Sequence, residues 1–279
     1  MTTNSSGAKT MKPQRAQPKA MELEVIKARD IQRGVSMVVY GRSGTGKTTI
    51  ACTAPGPLLL LDIKDEGTDS VSDIKELDVH MVDSLEDFEE TYWFLSKNSK
   101  RYKTVIIDTC TQLQGMVVAE VMRKNKRKGE PGSWGSMRKQ DWGDVSAILK
   151  EVLLNYRDLT AKGMNIIFIA QDRTFNLSEE EEANTEMLAP EVGPALSPSV
   201  ARALNASASI VCNTFIRERE EVKTSKDGKK SKKSVIEYCV GIGPSPLYTR
   251  KLRKPKSVAV PDAIADCEFA DIIEIMKGR

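Results

Sequence analysis

Histidine is almost missing from this sequence: His80 stands alone. Catalysis by paired histidines and His-rich metal sites are thereby excluded. The five cysteines, Cys52, Cys110, Cys212, Cys239 and Cys267, are scattered and contain no CxxC spacing. An odd set of scattered thiols argues against a disulfide framework and against zinc, and suits a reducing compartment. No apolar stretch approaches the roughly 20 residues that span a bilayer, so no membrane role is expected. The opening MTTNSSGAKTMKPQRAQPKA lacks the apolar segment of an export signal, and a cytoplasmic location is the expectation.

What is present is ordinary in amount and uneven in placement. The 279 residues are 40% hydrophobic and 29% charged, with a formal net charge of +3, enough chain for one substantial core. Residues 1–20 carry Lys9, Lys12, Arg15 and Lys19 and no acid. A disordered basic tail is expected over 1–22 and an ordered domain over 23–279. Further basic islands are RKNKRK (123–128), KTSKDGKKSKK (223–233) and RKLRKPK (250–256), against one acidic run, SEEEEANTE (178–186). Any one of these would serve as a solvated loop; several on one phosphate-binding core point to a polyanionic partner.

Strand-like and helix-like patterns alternate. VSMVVY (35–40), PLLLLD (57–62), VHMV (79–82), KTVIID (103–108) and MNIIFIA (164–170) read as strands, three of them continuous apolar runs of the kind covered on both faces. Residues 84–98, 111–125 and 141–160 carry apolar stripes at helical spacing, with Ser84 placed to cap the first. Such alternation predicts an α/β fold: a mostly parallel twisted sheet with helices on both faces. Residues 206–220 and 233–243 predict a C-terminal antiparallel hairpin, and a short amphipathic helix closes the chain. The polar stretch 171–198 reads as a long loop of functional length.

The chemistry begins at GRSGTGKTT. Gly41, Gly46, Lys47 and Thr48 match the spacing of a phosphate-binding loop, preceded by a strand and followed by a short helical pattern. In that reading Gly41, Arg42, Ser43, Gly44, Thr45, Gly46, Lys47, Thr48 and Thr49 cradle ATP: amides face the β-phosphate, Lys47 reaches the β- and γ-phosphates, and Thr48 ligates Mg2+. KTVIID supplies a second magnesium anchor, Asp108, at the end of a buried strand. Capping of the following helix could also use a residue here, and Thr109 or Thr111 could do it instead. Water activation needs another acid. Asp62, Asp65 and Glu66 follow the second strand, and Glu66 is chosen for loop reach to the γ-phosphate, although a solvated acidic turn would look the same. Gln171, directly after MNIIFIA, is placed to sense that phosphate through its amide and to reorder residues 172–198, unless it simply ends the strand.

These pieces together resemble the RecA/RadA superfamily of ATP-dependent recombinases, and within it the short phage-encoded single-strand-annealing recombinases that are little more than a RecA-like core. GRSGTGKT, DEGT, KTVIID, FIAQ and LSPSVARALNASASIVCNTF carry the resemblance, which covers residues 33–277. It implies a RecA-like P-loop NTPase core, ATP and Mg2+, and Glu66 as the water-activating acid. It also implies a homo-oligomer or filament in which Lys251 and Arg253 reach a neighbour's nucleotide. Two departures stand out: Asp62 and Glu66 are further apart than the family's D-x-E, which leaves Asp65 as the alternative base, and the N-terminal helical domain of RadA-type proteins is absent. The resemblance further implies two DNA-facing loops, near 123–140 and 172–198. The first holds Arg123, Lys124, Lys126, Arg127, Lys128, Trp134, Arg138 and Lys139, and the second Arg173. Cations interleaved with an aromatic suit single-stranded DNA. Trp134 either stacks on bases or anchors its own loop, while Trp142 is expected to pack in a helix core.

The leading expectation is therefore a DNA-stimulated ATPase that binds single-stranded DNA and promotes annealing or strand exchange, with a single-strand-binding protein as a further partner. The alternative is a nucleotide-dependent switch resembling a helicase loader, acting on a replication protein. A small-molecule kinase fits less well, because no arginine-bearing lid is visible.

Overall fold

The computed structural model describes residues 25–27, 30–64, 67–125, 137–175, 191–224 and 230–278. Among the described residues, those from Gln32 onward form one compact unit. The disorder expected for residues 1–22 lies outside the described residues.

The apolar runs become strands where they were expected. β1 (Ser36–Tyr40), β2 (Leu58–Asp62), β4 (Thr104–Asp108) and β5 (Asn165–Ala170) are buried at every position. β3 (Leu77–Met81) is also a strand but only partly buried, because it is an edge of the sheet. β8 (Ile210–Thr224) and β9 (Lys230–Gly241) form the expected antiparallel hairpin. The main sheet has the order β11–β9–β8–β1–β5–β4–β2–β3, with β10 (Lys251–Leu252) added to β8 and β11 (Ala263–Ala265) outside β9. From β3 to β8 every pairing in that path is parallel. This is the mostly parallel sheet of a RecA-like P-loop NTPase fold.

Alternation across the pleat sends each strand's side chains to two cores. Val38, Leu59, Leu61, Val105, Ile107, Ile166 and Phe168 face α2 (Leu85–Lys97), α3 (Cys110–Lys124), α4 (Lys139–Asp158) and α5 (Pro198–Ser207). Met37, Val39, Leu60, Ile106, Ile167 and Ile169 face α1 (Lys47–Cys52), a 3-10 turn over Gly67–Val71, and α6 (Phe269–Lys277). Ser84 caps α2 as expected, its hydroxyl accepting from the Asp87 amide at 3.1 Å. Under α2 the rings of Phe88 and Tyr156 stack with centroids 4.4 Å apart.

Two expectations are corrected. Trp142 is 43% exposed rather than packed in a helix core, because the α4 stripe that turns inward runs through Val145, Leu149, Val152 and Tyr156. Residues 171–198 are not loop throughout: Asp172–Phe175 (β6) and Glu191–Pro194 (β7) pair antiparallel and continue the chain beyond β5. Residues 176–190 lie outside the described residues. All five thiols are free and buried, and burial raises the Cys52 and Cys267 thiols to about 12, so neither is a nucleophile at neutral pH.

Candidate functional site

The site is assembled at the carboxyl edge of the parallel strands, where loops can gather without breaking the ladder. β1 delivers the chain into the 41–49 loop. Gly41 is needed for close approach: a Cβ there would lie 2.5 Å from Thr214 Oγ1 and 2.6 Å from the Thr214 carbonyl of β8. Gly46 turns the chain into α1 at φ 84, a left-handed conformation that favours glycine. The loop is fixed from within and from the side, since Thr45 Oγ1 bonds the Arg42 carbonyl at 2.8 Å and Thr214 Oγ1 at 2.6 Å. Arg42, Ser43, Gly44 and Thr49 remain exposed along it.

Strand order decides what meets this loop. β5 lies between β1 and β4, so Gln171, at its end, stands between the loop and Asp108. Lys47 is buried and its Nζ donates to the Arg42 carbonyl at 2.9 Å and to Gln171 Oε1 at 3.4 Å. Thr48 Oγ1 donates to Asp108 Oδ2 at 2.7 Å. Asp108 is not the cap of α3; Thr109 is, accepting from the Gln112 amide at 3.2 Å. Asp62 is buried beside Asp108 in the β2–β4 register and accepts from Thr68 Oγ1 at 3.4 Å. Asp65 and Glu66 lie outside the described residues. Their neighbour Gly67 packs against the same pair: a Cβ on it would be 3.4 Å from Asp108 Oδ2 and 3.5 Å from Thr48 Oγ1.

A cavity of about 720 Å3 opens over the loop, and Lys47, Thr48 and Gln171 line it. Its other walls include Tyr238, Val240, Asp266, Cys267 and Glu268, none of which the sequence pattern singles out. They come from β9 and the approach to α6, roughly two hundred positions further along than the loop, and no local pattern announces them. Among the described residues no cluster of three or more His, Cys, Asp or Glu could hold a metal. A hydroxyl and a carboxylate beside a phosphate loop instead suit a hard cation that takes most of its oxygens from phosphate and water.

Gln171 is tied on three sides. Besides Lys47, its amide donates to Thr111 Oγ1 of α3 at 3.0 Å, and its carbonyl accepts from Ala195 at 2.7 Å, just past β7. Gln171 therefore joins Lys47 to α3 and to the residue just past β7. Gln171→Ala is expected to leave nucleotide affinity within about threefold while abolishing nucleotide-dependent protection of residues 172–175 and 191–195, read by hydrogen exchange with and without ATP.

The candidate DNA residues fall in two places. Arg123 and Lys124 end α3, where both pair with Glu120 and hold its carboxyl down at about 2. Arg138 and Lys139 begin α4, and Asn125 Nδ2 donates to Asp141 Oδ1 at 2.9 Å to join the two helix ends. Lys126, Arg127, Lys128 and Trp134 lie outside the described residues. Arg173 is exposed on β6, its guanidinium 5.3 Å from the centre of the Phe175 ring.

Lys251 and Arg253 sit elsewhere. Lys251 is level with Val211 and the Arg253 amide bonds the Ser209 carbonyl, so both lie toward the amino edge of the sheet, away from the 41–49 loop of their own chain. Both donate to the Ala206 carbonyl at the end of α5, at 2.7 and 3.0 Å. Burial and the neighbouring Arg253 lower the Lys251 pKa.

A glycine-rich loop on a parallel strand, its lysine buried against a glutamine and its threonine against a strand-ending aspartate, defines a P-loop ATPase. The chain belongs to the AAA_24 family of AAA domains, matched over residues 33–253. Among solved structures it is similar to flagellar accessory protein FlaH from Methanocaldococcus jannaschii, at 14% identity and TM-score 0.34 over 85% of this chain and 91% of that one. It is also similar to a DnaB-like replicative helicase described with its interactions with primase (12%, 0.36, covering 74% and 55%). A third is the P4 protein from bacteriophage phi6 in complex with ADP (11%, 0.32, covering 78% and 64%). Comparison with curated proteins finds no match. Among the described residues no helix is long and apolar enough to cross a membrane.

Proposed function

We propose that this ATPase binds single-stranded DNA and promotes annealing or strand exchange as a homo-oligomer or filament. One observation carries the reading: Gln171 touches the P-loop lysine and, through its own backbone carbonyl, Ala195, just past β7. A residue whose side chain meets one side and whose backbone meets the other can convert the presence of a γ-phosphate into an arrangement of a DNA-facing segment.

In this reading the 41–49 amides and Lys47 hold the triphosphate. Thr48 and Asp108 would hold Mg2+, which would draw charge from the phosphates as the bond breaks. Glu66 orients and deprotonates water, with Asp65 as its alternative. Arg123, Lys124, Arg138, Lys139 and Arg173, with Lys126, Arg127, Lys128 and Trp134, contact the strand. Lys251 and Arg253 face away from their own P-loop, so any nucleotide they serve belongs to a neighbouring copy.

The test is the rate of ATP hydrolysis with and without a single-stranded oligonucleotide. Stimulation of about tenfold or more is expected, with affinity falling as salt rises by about 0.7 log units per log unit for each phosphate neutralised. A rate indifferent to DNA but raised by a small phosphate acceptor would overturn the reading.

A further inference from the structure

Beyond Phe215, β8 and β9 have, among the described residues, no strand beside them but each other. β8 pairs with β1 only over Ile210–Asn213, and β11 pairs with β9 only over Cys239–Gly241. The β8–β9 ladder continues past these to Thr224 and Lys230. At ~3.4 Å per residue this projecting ribbon is about 35 Å long. Neither face is covered near its root: Ile216, Arg217, Glu218, Arg219 and Glu220 point alternately to opposite sides and are all exposed.

Charge is sorted along its length. Near the root, Arg217 and Arg219 both bond Glu237, at 2.7 and 2.8 Å, and Lys232 reaches back to Glu220 at 2.8 Å. Cross-strand ion pairs help hold a two-stranded ribbon that would otherwise be marginal in water. Further out, acids give way. Residues 222–233 contain six lysines and one acid, Asp227. Residues 216–237 contain no aromatic at all. The loops assigned to single-stranded DNA do not include this ribbon.

We propose that the ribbon is an arm for double-stranded nucleic acid, with Lys232 and Lys233 set against the phosphates of a duplex groove. Lys223 and Lys230 continue the basic run at the outer end of the ladder. The major groove is about 12 Å wide and admits a two-stranded ribbon. Lysines act there as point charges on the backbone, which positions a duplex without reading its sequence. Binding of single strands draws on aromatic platforms for the bases, and outward of Tyr238, which stands opposite Ile216 at the root, the ribbon has none. The assignment rests on the reading that the chain acts on nucleic acid, but it uses a different surface and is separable from it.

The experiment compares the full chain with a variant carrying Lys223→Ser, Lys230→Ser, Lys232→Ser and Lys233→Ser, titrated with a labelled 30-base-pair duplex and with one of its strands. The variant should bind duplex about a hundredfold more weakly near 0.1 M salt, and its salt slope should flatten by about 0.9 for each phosphate no longer neutralised. Single-strand affinity and ATP hydrolysis should stay within about threefold of the parent. Arginine at the same four positions should restore duplex binding, which separates loss of charge from loss of fold. Unchanged duplex affinity overturns the proposal, as does an equal fall for the single strand. Displacement of the duplex by polyglutamate at equal charge concentration also overturns it, making the arm a general anion binder. Lysine-dependent duplex binding in a chain whose ATPase ignores single strands would keep the arm and reject the annealing reading.

Discussion

Lys47→Ala is expected to cut ATP turnover by at least about a hundredfold, the loss typical of one preorganised charge removed from a developing anion. The fold should survive. The Lys47 ammonium bonds groups at the mouth of the loop, the Arg42 carbonyl and Gln171 Oε1, and a typical hydrogen bond contributes about 1 kcal/mol. Circular dichroism and thermal unfolding check that point, and steady-state phosphate release checks the main one. Turnover within twofold of the parent would mean that hydrolysis occurs elsewhere and that the cavity over the loop is not its seat.

The second large effect concerns the acid. Glu66→Gln should lower kcat by about 10²–10³-fold with nucleotide affinity unchanged, because a general base acts in the chemical step. Asp65→Asn should stay within about threefold. The placement of Gly67 near both Thr48 Oγ1 and Asp108 Oδ2 is the ground for testing the two acids that precede it in sequence. If the two variants exchange their effects, Asp65 is the base, as the wide spacing from Asp62 allows. If neither lowers kcat, water is activated by another group.

Much of this architecture is legible in the sequence. β1, β2, β4 and β5 can be read because a strand covered on both faces needs an uninterrupted apolar run, and each of them has one. Lys47, Thr48 and Asp108 can be picked out because the loop spacing and an acid ending a buried strand are both visible locally, and the structure brings Thr48 and Asp108 to 2.7 Å. Position in the sheet cannot be read. That β5 separates β1 from β4, and so sets Gln171 beside Lys47, is a property of strand order, which local periodicity does not encode. For the same reason the sequence does not reveal Thr214, Tyr238 and Asp266 as walls of the cavity. Trp142 misleads because a single large apolar residue says little about which way it faces, whereas the α4 stripe as a whole does. The pairing of β6 with β7 is hidden by the polar stretch between them, since two short half-exposed strands leave a weak alternation.

The root of the β8–β9 ribbon is also a wall of the nucleotide cavity. Thr214 is hydrogen-bonded to Thr45, and a Cβ on Gly46 would lie 3.7 Å from the Tyr238 ring. Mechanically, cavity and ribbon are in series. For a stem about 35 Å long, a tilt of roughly 5° at that pivot sweeps the outer end by about 3 Å. A tilt of that size, were it produced by nucleotide binding, would displace the outer end by about the spacing between stacked base pairs.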